Sequence, residues 1–269
     1  MEKVSVKPQS AVNLKKIYWV AFVTILRKEI HRITRIWPQT VLPPAITTSL
    51  YFLIFGTLIG TRIGPMHGVP YMDYIVPGII LMSVISNSYG NVVSSFYSTK
   101  FQRHIEEMLI SPIPDWVILA GYVGGGVVRG VIVGIVVMLI SLFFTDLKMD
   151  HPLLAVTIFL STSIMFSLAG FINATIANSF DDISIVPNFV LTPLSYLGGV
   201  FYSIDLLPEF WQKVSLANPI LYMVNTFRYG ILGISDIIVE RAVIIIFGFI
   251  LVLIGTSLWL LRKGVGIKH

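Results

Sequence analysis

Six stretches of this chain stay apolar for about the 20 residues that a helix needs to cross a hydrocarbon core. They run approximately over 41–60, 74–95, 117–144, 153–177, 183–201 and 243–261. In lipid every backbone N–H and C=O must be paired within a helix or a closed barrel, and barrel strands would show short alternating runs instead. The pattern predicts an all-α membrane protein with six transmembrane helices.

Elsewhere the periodicity changes. Residues 12–37 place Leu14, Tyr18, Ala21, Phe22, Ile25, Ile33 and Ile36 near one helical face and Lys16, Arg27, His31 and Arg35 on the other, with Lys15 and Arg32 interrupting the stripe. This predicts an amphipathic helix in the cytoplasmic headgroup layer, anchored by Trp19 and Trp37. With a weakly held tail at 1–10, the chain divides into 1–36, the tail and interface helix, and 37–269, the transmembrane domain. Pro43-Pro44 falls early in the first span, where a helix tolerates proline best.

Two further segments are too short to cross. Over 101–109, Phe101, Ile105, Met108 and Leu109 share one face, while Gln102, Arg103, Glu106 and Glu107 form a charged side, and Pro112 and Pro114 stop the helix. A stiff helix joined directly to two spans can transmit a push. Its two glutamates argue against a place on an anionic leaflet. Over 203–240, Leu206, Leu207, Phe210 and Trp211 precede Asn218-Pro219, an N-cap followed by proline at the first helical position. This predicts a pair of short helices dipping into the outer leaflet or lying upon it.

Composition agrees. The chain is 55% hydrophobic and 12% charged, with mean hydropathy +0.83, about half the charge of a soluble domain. The absence of cysteine excludes disulfides and thiolate metal sites. No short apolar h-region with a small-residue cleavage site precedes the first span, so no cleavable signal peptide is expected. The net charge of +5 has a topological cause. With both termini cytoplasmic, thirteen basic residues lie inside (3, 7, 15, 16, 27, 28, 32, 35, 100, 103, 262, 263 and 268), five lie outside (62, 148, 213, 228 and 241), and Arg129 falls within the third span. The positive-inside rule favours this orientation, and the basicity needs no nucleic-acid partner.

Polar positions inside the spans offer candidate chemistry. The second span aligns Ser83, Ser86, Asn87, Gly90, Asn91, Ser94, Ser95 and Ser98, and the fifth aligns Asn188, Thr192, Ser195, Gly198, Gly199 and Tyr202. Such faces serve helix packing or line a route for cargo. The run Tyr122-Val123-Gly124-Gly125-Gly126 sits inside an apolar helix with no following Gly-Lys-Ser/Thr, so close packing or a kink accounts for it better than a phosphate loop. Arg129 must face protein, water or a headgroup. It either hydrogen-bonds main-chain carbonyls or meets anionic cargo. His67 has no metal-ligand partner at useful spacing and reads as a solvated loop residue; no metal site and no catalytic residue is expected. Asp73, Asp146, Asp181, Asp182 and Asp236 sit at span ends or in loops, which leaves an ion-coupled secondary transporter as the alternative with little to carry an ion. The five scattered histidines and the lack of paired intramembrane acids weigh against an enzyme.

The ordered motifs resemble a known family. Phe101-Gln102-Arg103-His104-Ile105-Glu106-Glu107, Ser111-Pro112, Ala120 to Gly126, Phe180-Asp181-Asp182-Ile183-Ser184, Leu191 to Tyr202 and Asn218-Pro219-Ile220 are similar to the membrane-spanning permeases of ABC-2 type transporters, close to those of bacterial inner membranes. The resemblance covers the chain from about Ile17 to its C-terminus. It implies a type V exporter-like fold, two copies of the permease as a homodimer in the lipid of the inner membrane, and two copies of a separate ATP-binding subunit. ATP and Mg would be bound there, and no cofactor on this chain, which lacks Gly-x-x-x-x-Gly-Lys-Ser/Thr. Phe101, Arg103, Ile105, Glu106, Glu107, Met108, Leu109 and Pro112 would form the coupling helix seated on that subunit. Ser83, Asn87, Asn91, Ser94, Asn188, Thr192, Ser195 and Tyr196 would line the export pathway. Pro208, Trp211, Asn218, Pro219 and Arg228 would belong to re-entrant helices closing an outer gate.

Overall fold

The computed structural model describes residues 14–266; the expected N-terminal tail lies outside them. The described residues are helical throughout apart from turns and one isolated bridge, Met66 with Val69. We number the helices α1 (Leu14–Arg35), α2 (Trp37–Ile63), α3 (Tyr71–Phe101), α4 (His104–Ile110), α5 (Asp115–Ser141), α6 (Pro152–Ile176), α7 (182–197), α8 (Glu209–Leu216), α9 (Pro219–Leu232) and α10 (Val239–Lys263).

Five of these, α2, α3, α5, α6 and α10, are long and apolar enough to cross a membrane. The predicted fifth span, 183–201, is different: α7 is shorter and contains a π-helical turn over Pro187–Leu191. Pro187 and Pro193 cannot donate to the helical ladder, and Thr192 Oγ1 turns back to the carbonyl of Pro187 at 2.9 Å, five residues earlier. The start of α7 lies near the C-terminal end of α3, where Tyr97 and Phe180 meet edge to face at 4.8 Å. Its end lies near the other end of α3, with the Val200 backbone pressed on Gly78.

Helix α3 is the central post, buried along most of its length between α5 and α6. Small residues permit the close approach. Gly126, Gly130 and Gly134 recur every four residues on α5; a Cβ there would collide with Ser167 and Val92, with Ser88 and Ser163, and with Phe159 and Val84 respectively. Ser88 and Ser163 hydrogen-bond each other across α3 and α6 at 2.7 Å in the cleft that Gly130 leaves.

A second glycine face of α5 receives α1. A Cβ on Gly121 would strike Ile25, and one on Gly125 would strike Glu29. Tyr18 and Trp116 pack at 6.2 Å, about two turns earlier on α1 and one and a half turns earlier on α5. As residue number rises along α1 it rises along α5, so α1 runs beside the first turns of a long apolar helix. Glycines that admit a neighbouring helix are the physical reason for this close contact. The helix α2 also begins earlier than expected: Pro38 occupies its first turn, and Pro43 and Pro44 stand within it.

Ties at the two ends of the bundle define its polarity. At one end Lys100 Nζ donates to the carbonyls of Thr175 at 2.8 Å and Ala177 at 2.5 Å, and Arg262 approaches Asp115 at 3.8 Å. At the other, Thr145 donates to Asp73 and the His151 N–H reaches the Gly230 carbonyl at 2.8 Å. The C-terminal end of α10 therefore lies at the same end as α4 and the start of α5.

Candidate functional site

The polar stripe on α3 divides into two parts with different neighbours. Its C-terminal part faces α1. Glu29, fully buried, accepts from Arg32 Nη2 at 3.1 Å, from Asn91 Nδ2 at 3.3 Å and from the Ser95 hydroxyl. Arg32 also donates to the Asn91 carbonyl at 2.9 Å, to Asn91 Oδ1 at 2.8 Å and to Ser94 Oγ at 3.3 Å. Lys28 extends the junction to Thr99, which accepts from the Tyr122 hydroxyl at 3.0 Å. The interruption of the amphipathic stripe by Arg32 is thus a buried polar clasp between α1 and α3. Asn91 and Ser94, expected to line a pathway, are held inside that clasp.

The N-terminal part of the stripe opens on a groove of about 370 Å³ between α2 and α3. Gln39, Thr47 and Tyr51 line it from α2, Ser83, Ser86 and Asn87 from α3, and Arg129 from α5, with Pro43, Pro44, Ile79 and Met82 as the apolar wall. Of the expected pathway residues, Ser83 and Asn87 face this groove. The expected carbonyl bonds of Arg129 are absent: its Nε is enclosed, and among the described residues it makes no hydrogen bond or ion pair. Arg129, next to Gly130 on α5, lines the groove instead.

On α7 the polar face is outward. Asn188, Thr192 and Tyr196 are exposed beside Phe189, whereas Ser195 is buried against the chain's own core. Ser195 therefore separates from the other three.

The connection between α3 and α5 is also rearranged. Phe101 ends α3, the backbone turns sharply at Arg103 with φ +61°, and α4 begins only at His104. Phe101 meets Phe180 at 5.1 Å and remains exposed. Ile105 is buried and Met108 and Leu109 are half-buried, with the Met108 sulfur 4.0 Å from the Tyr122 hydroxyl. These apolar residues seat α4 on its own bundle. What α4 and its flanks present outward is Phe101, Gln102, Arg103, His104, Glu106, Glu107, Ile110 and Pro112.

At the opposite end, Asn218 caps α9 as its sequence predicts, accepting from the Ile220 N–H at 3.0 Å, and also donates to the Leu194 carbonyl at 2.6 Å. Pro219 follows at the first helical position. Arg228 is fully buried: it donates to the carbonyls of Tyr74 at 3.1 Å and Gly199 at 2.6 Å and to Asn225 Oδ1 at 3.3 Å, with the guanidinium 3.9 Å above the Tyr74 ring. Both residues are internal braces, while Pro208 and Trp211 are exposed. His67 is exposed in a turn, as expected of a loop residue, but it has neighbours that its spacing did not show. It stands 3.3 Å from Asp236 Oδ1 and 3.2 Å from Ser203 Oγ, stacked near Tyr74, whose hydroxyl also bonds Asp236. With Asp205 it forms a three-residue group whose ligand-type atoms lie within 4.8 Å of one another. Sequence spacing gave no signal of this, since the three residues come from separate loops.

Comparison with known proteins gives these features a setting. The family model for the ABC-2 type transporter matches residues 20–232. The inner membrane transport permease YadH of Escherichia coli K12 is 55% identical over 254 residues, which cover 94% of this chain and 98% of that protein. Nodulation protein J of Sinorhizobium fredii is 24% identical over 69% of this chain and 70% of its own length, and that of Rhizobium leguminosarum bv. viciae is 22% identical over 78% and 82%.

Proposed function

This chain belongs to the ABC-2 type transporter family, and on that footing we propose that it is the membrane-spanning permease of an ATP-driven exporter in the bacterial inner membrane. Two copies pair with each other and with two copies of a separate ATP-binding subunit. In this reading α7 is the sixth crossing, bringing both termini to the cytoplasmic side with the basic clusters. The end carrying α4 faces the ATPase. Cargo passes along the α2–α3 groove and the outward face of α7, and α8 and α9 close the far end.

The observation that carries the proposal is the disposition of α4. Ile105 pins a short rigid helix to the bundle while Arg103, His104, Glu106 and Glu107 point away from it. Movement of a partner bound to that charged edge passes directly into α3 and α5, because only Gln102 and Arg103 separate α4 from α3 and four residues separate it from α5. ATP-driven closure of the partner would then bias one arrangement of the helices over another. The fully buried carboxylate of Glu29 is taken up by Arg32, Asn91 and Ser95, which weighs against a proton-carrying role and the secondary-transporter alternative.

The test is charge reversal at the edge. Glu106→Lys with Glu107→Lys is expected to insert normally yet lose copurification with the ATP-binding subunit, or lose coupling of ATP hydrolysis to transport. Unchanged copurification together with unchanged transport-coupled hydrolysis would defeat the proposal.

A further inference from the structure

Arg129 lies fourteen residues into α5, about 20 Å along the helix from Asp115 by the 1.5 Å rise per residue. A guanidinium at that depth is costly unless it is paired or reaches water or a headgroup. The other two inward-facing arginines of the bundle have protein partners: Arg32 has Glu29, Asn91 and Ser94, and Arg228 has Tyr74, Gly199 and Asn225. Arg129 has none among the described residues, and its enclosed Nε is unsatisfied. Arg32 acts on it with like charge. Among the described residues no acidic side chain lines the groove into which it opens; Gln39, Thr47, Ser83, Ser86 and Asn87 supply neutral donors and acceptors instead. A volume of about 370 Å³ is at the small end of ligand sites, large enough for a headgroup and the first methylenes, with the remainder of a chain left to the open side. An anion with an apolar tail meets each of these features, since charge-assisted bonds from a guanidinium to phosphate or carboxylate are the strong ones.

We propose that Arg129 binds the anionic head of an amphiphilic cargo in the α2–α3 groove, so that the exported substrate is an acidic, phosphate- or carboxylate-bearing amphiphile. The word cargo rests on the exporter reading; the anion site does not.

The test uses the full chain in phosphatidylcholine nanodiscs, with decyl phosphate and neutral decanol titrated by calorimetry in the absence of ATP. Decyl phosphate should bind at least tenfold more tightly than decanol. Arg129→Gln should remove that preference and Arg129→Lys should keep part of it. Ser86→Trp leaves the charge but fills the groove, and should weaken decyl phosphate at least tenfold; it carries the test if Arg129→Gln fails to insert. Equal decyl phosphate affinity in the wild type and in either Arg129→Gln or Ser86→Trp overturns the site. Repeating the titration with one fifth phosphatidylglycerol separates the sources. Unchanged affinity supports a cargo anion, and a severalfold loss overturns cargo in favour of a bilayer headgroup. Because no nucleotide is present, failure of ATP coupling leaves this result standing, and loss of anion binding leaves the Glu106 and Glu107 test untouched.

Discussion

Replacing Glu29 with glutamine preserves the shape of the α1–α3 clasp and removes its negative charge. Glu29 is fully buried and accepts three bonds, one of them from the guanidinium of Arg32, whose side chain is 22% exposed. Removing one partner of a buried ion pair costs about 3–5 kcal/mol, because the other charge is left uncompensated. Arg32 keeps the Asn91 carbonyl and Oδ1 and some solvent, which brings the expected loss to about 2–3 kcal/mol. The double change Glu29→Gln with Arg32→Gln should cost only about 1 kcal/mol, since a neutral hydrogen-bonded pair avoids the desolvation of two charges. The assay is reversible unfolding in mixed micelles, followed by tryptophan fluorescence, with the two single variants and the double variant compared as a cycle. A loss below about 0.5 kcal/mol for Glu29→Gln, or a double variant as unstable as the sum of the singles, would refute the argument that this ion pair within α1, bonded to Asn91, Ser94 and Ser95, holds α1 against α3.

Other consequences follow from the same packing. Gly130→Ala puts a methyl group against the hydroxyls of Ser88 and Ser163 and should destabilise by about 1–3 kcal/mol; Gly90→Ala, with nothing within 4 Å, should be neutral or stabilising by up to about 1 kcal/mol, both measured by unfolding in micelles. Arg228→Lys cannot span the Tyr74 and Gly199 carbonyls together, and the loss expected in the same unfolding assay is about 2–3 kcal/mol. Asn218→Asp should retain the cap on Ile220 but not the donation to Leu194, leaving it about 1 kcal/mol below the wild type, while Asn218→Ala should fall further in the same denaturation curves.

The parts legible in the sequence are those governed by one segment at a time. Length and apolarity located the five long helices, Asn218-Pro219 located the start of α9 and its cap, and Pro112 and Pro114 bounded the stop after α4. Features that depend on two segments were visible as residues but not as relations. Arg32 appeared as an interruption in an amphipathic stripe because its acceptors lie some sixty residues away on α3. The α3 stripe read as one face, but α1 covers its C-terminal part and the groove exposes the rest. His67 gave no sign of Asp236 for the same reason.

This division also bears on transport. A polar residue in a span is a functional candidate only after the chain's own helices have claimed their share of hydrogen bonds. Asn91, Ser94, Ser95 and Arg32 are claimed by one another and by Glu29, and Arg228 by the backbone of α3 and the turn after α7. Subtracting these leaves Ser83, Ser86, Asn87 and Arg129 facing one groove, with Asn188, Thr192 and Tyr196 on an uncovered face of α7. In the proposed exporter those two surfaces would be open both to a second copy of the chain and to a passing amphiphile. Substitutions there should alter transport with little effect on stability, while substitutions in the clasp should do the reverse; comparing Asn87→Leu with Asn91→Leu for both transport and unfolding distinguishes the two roles.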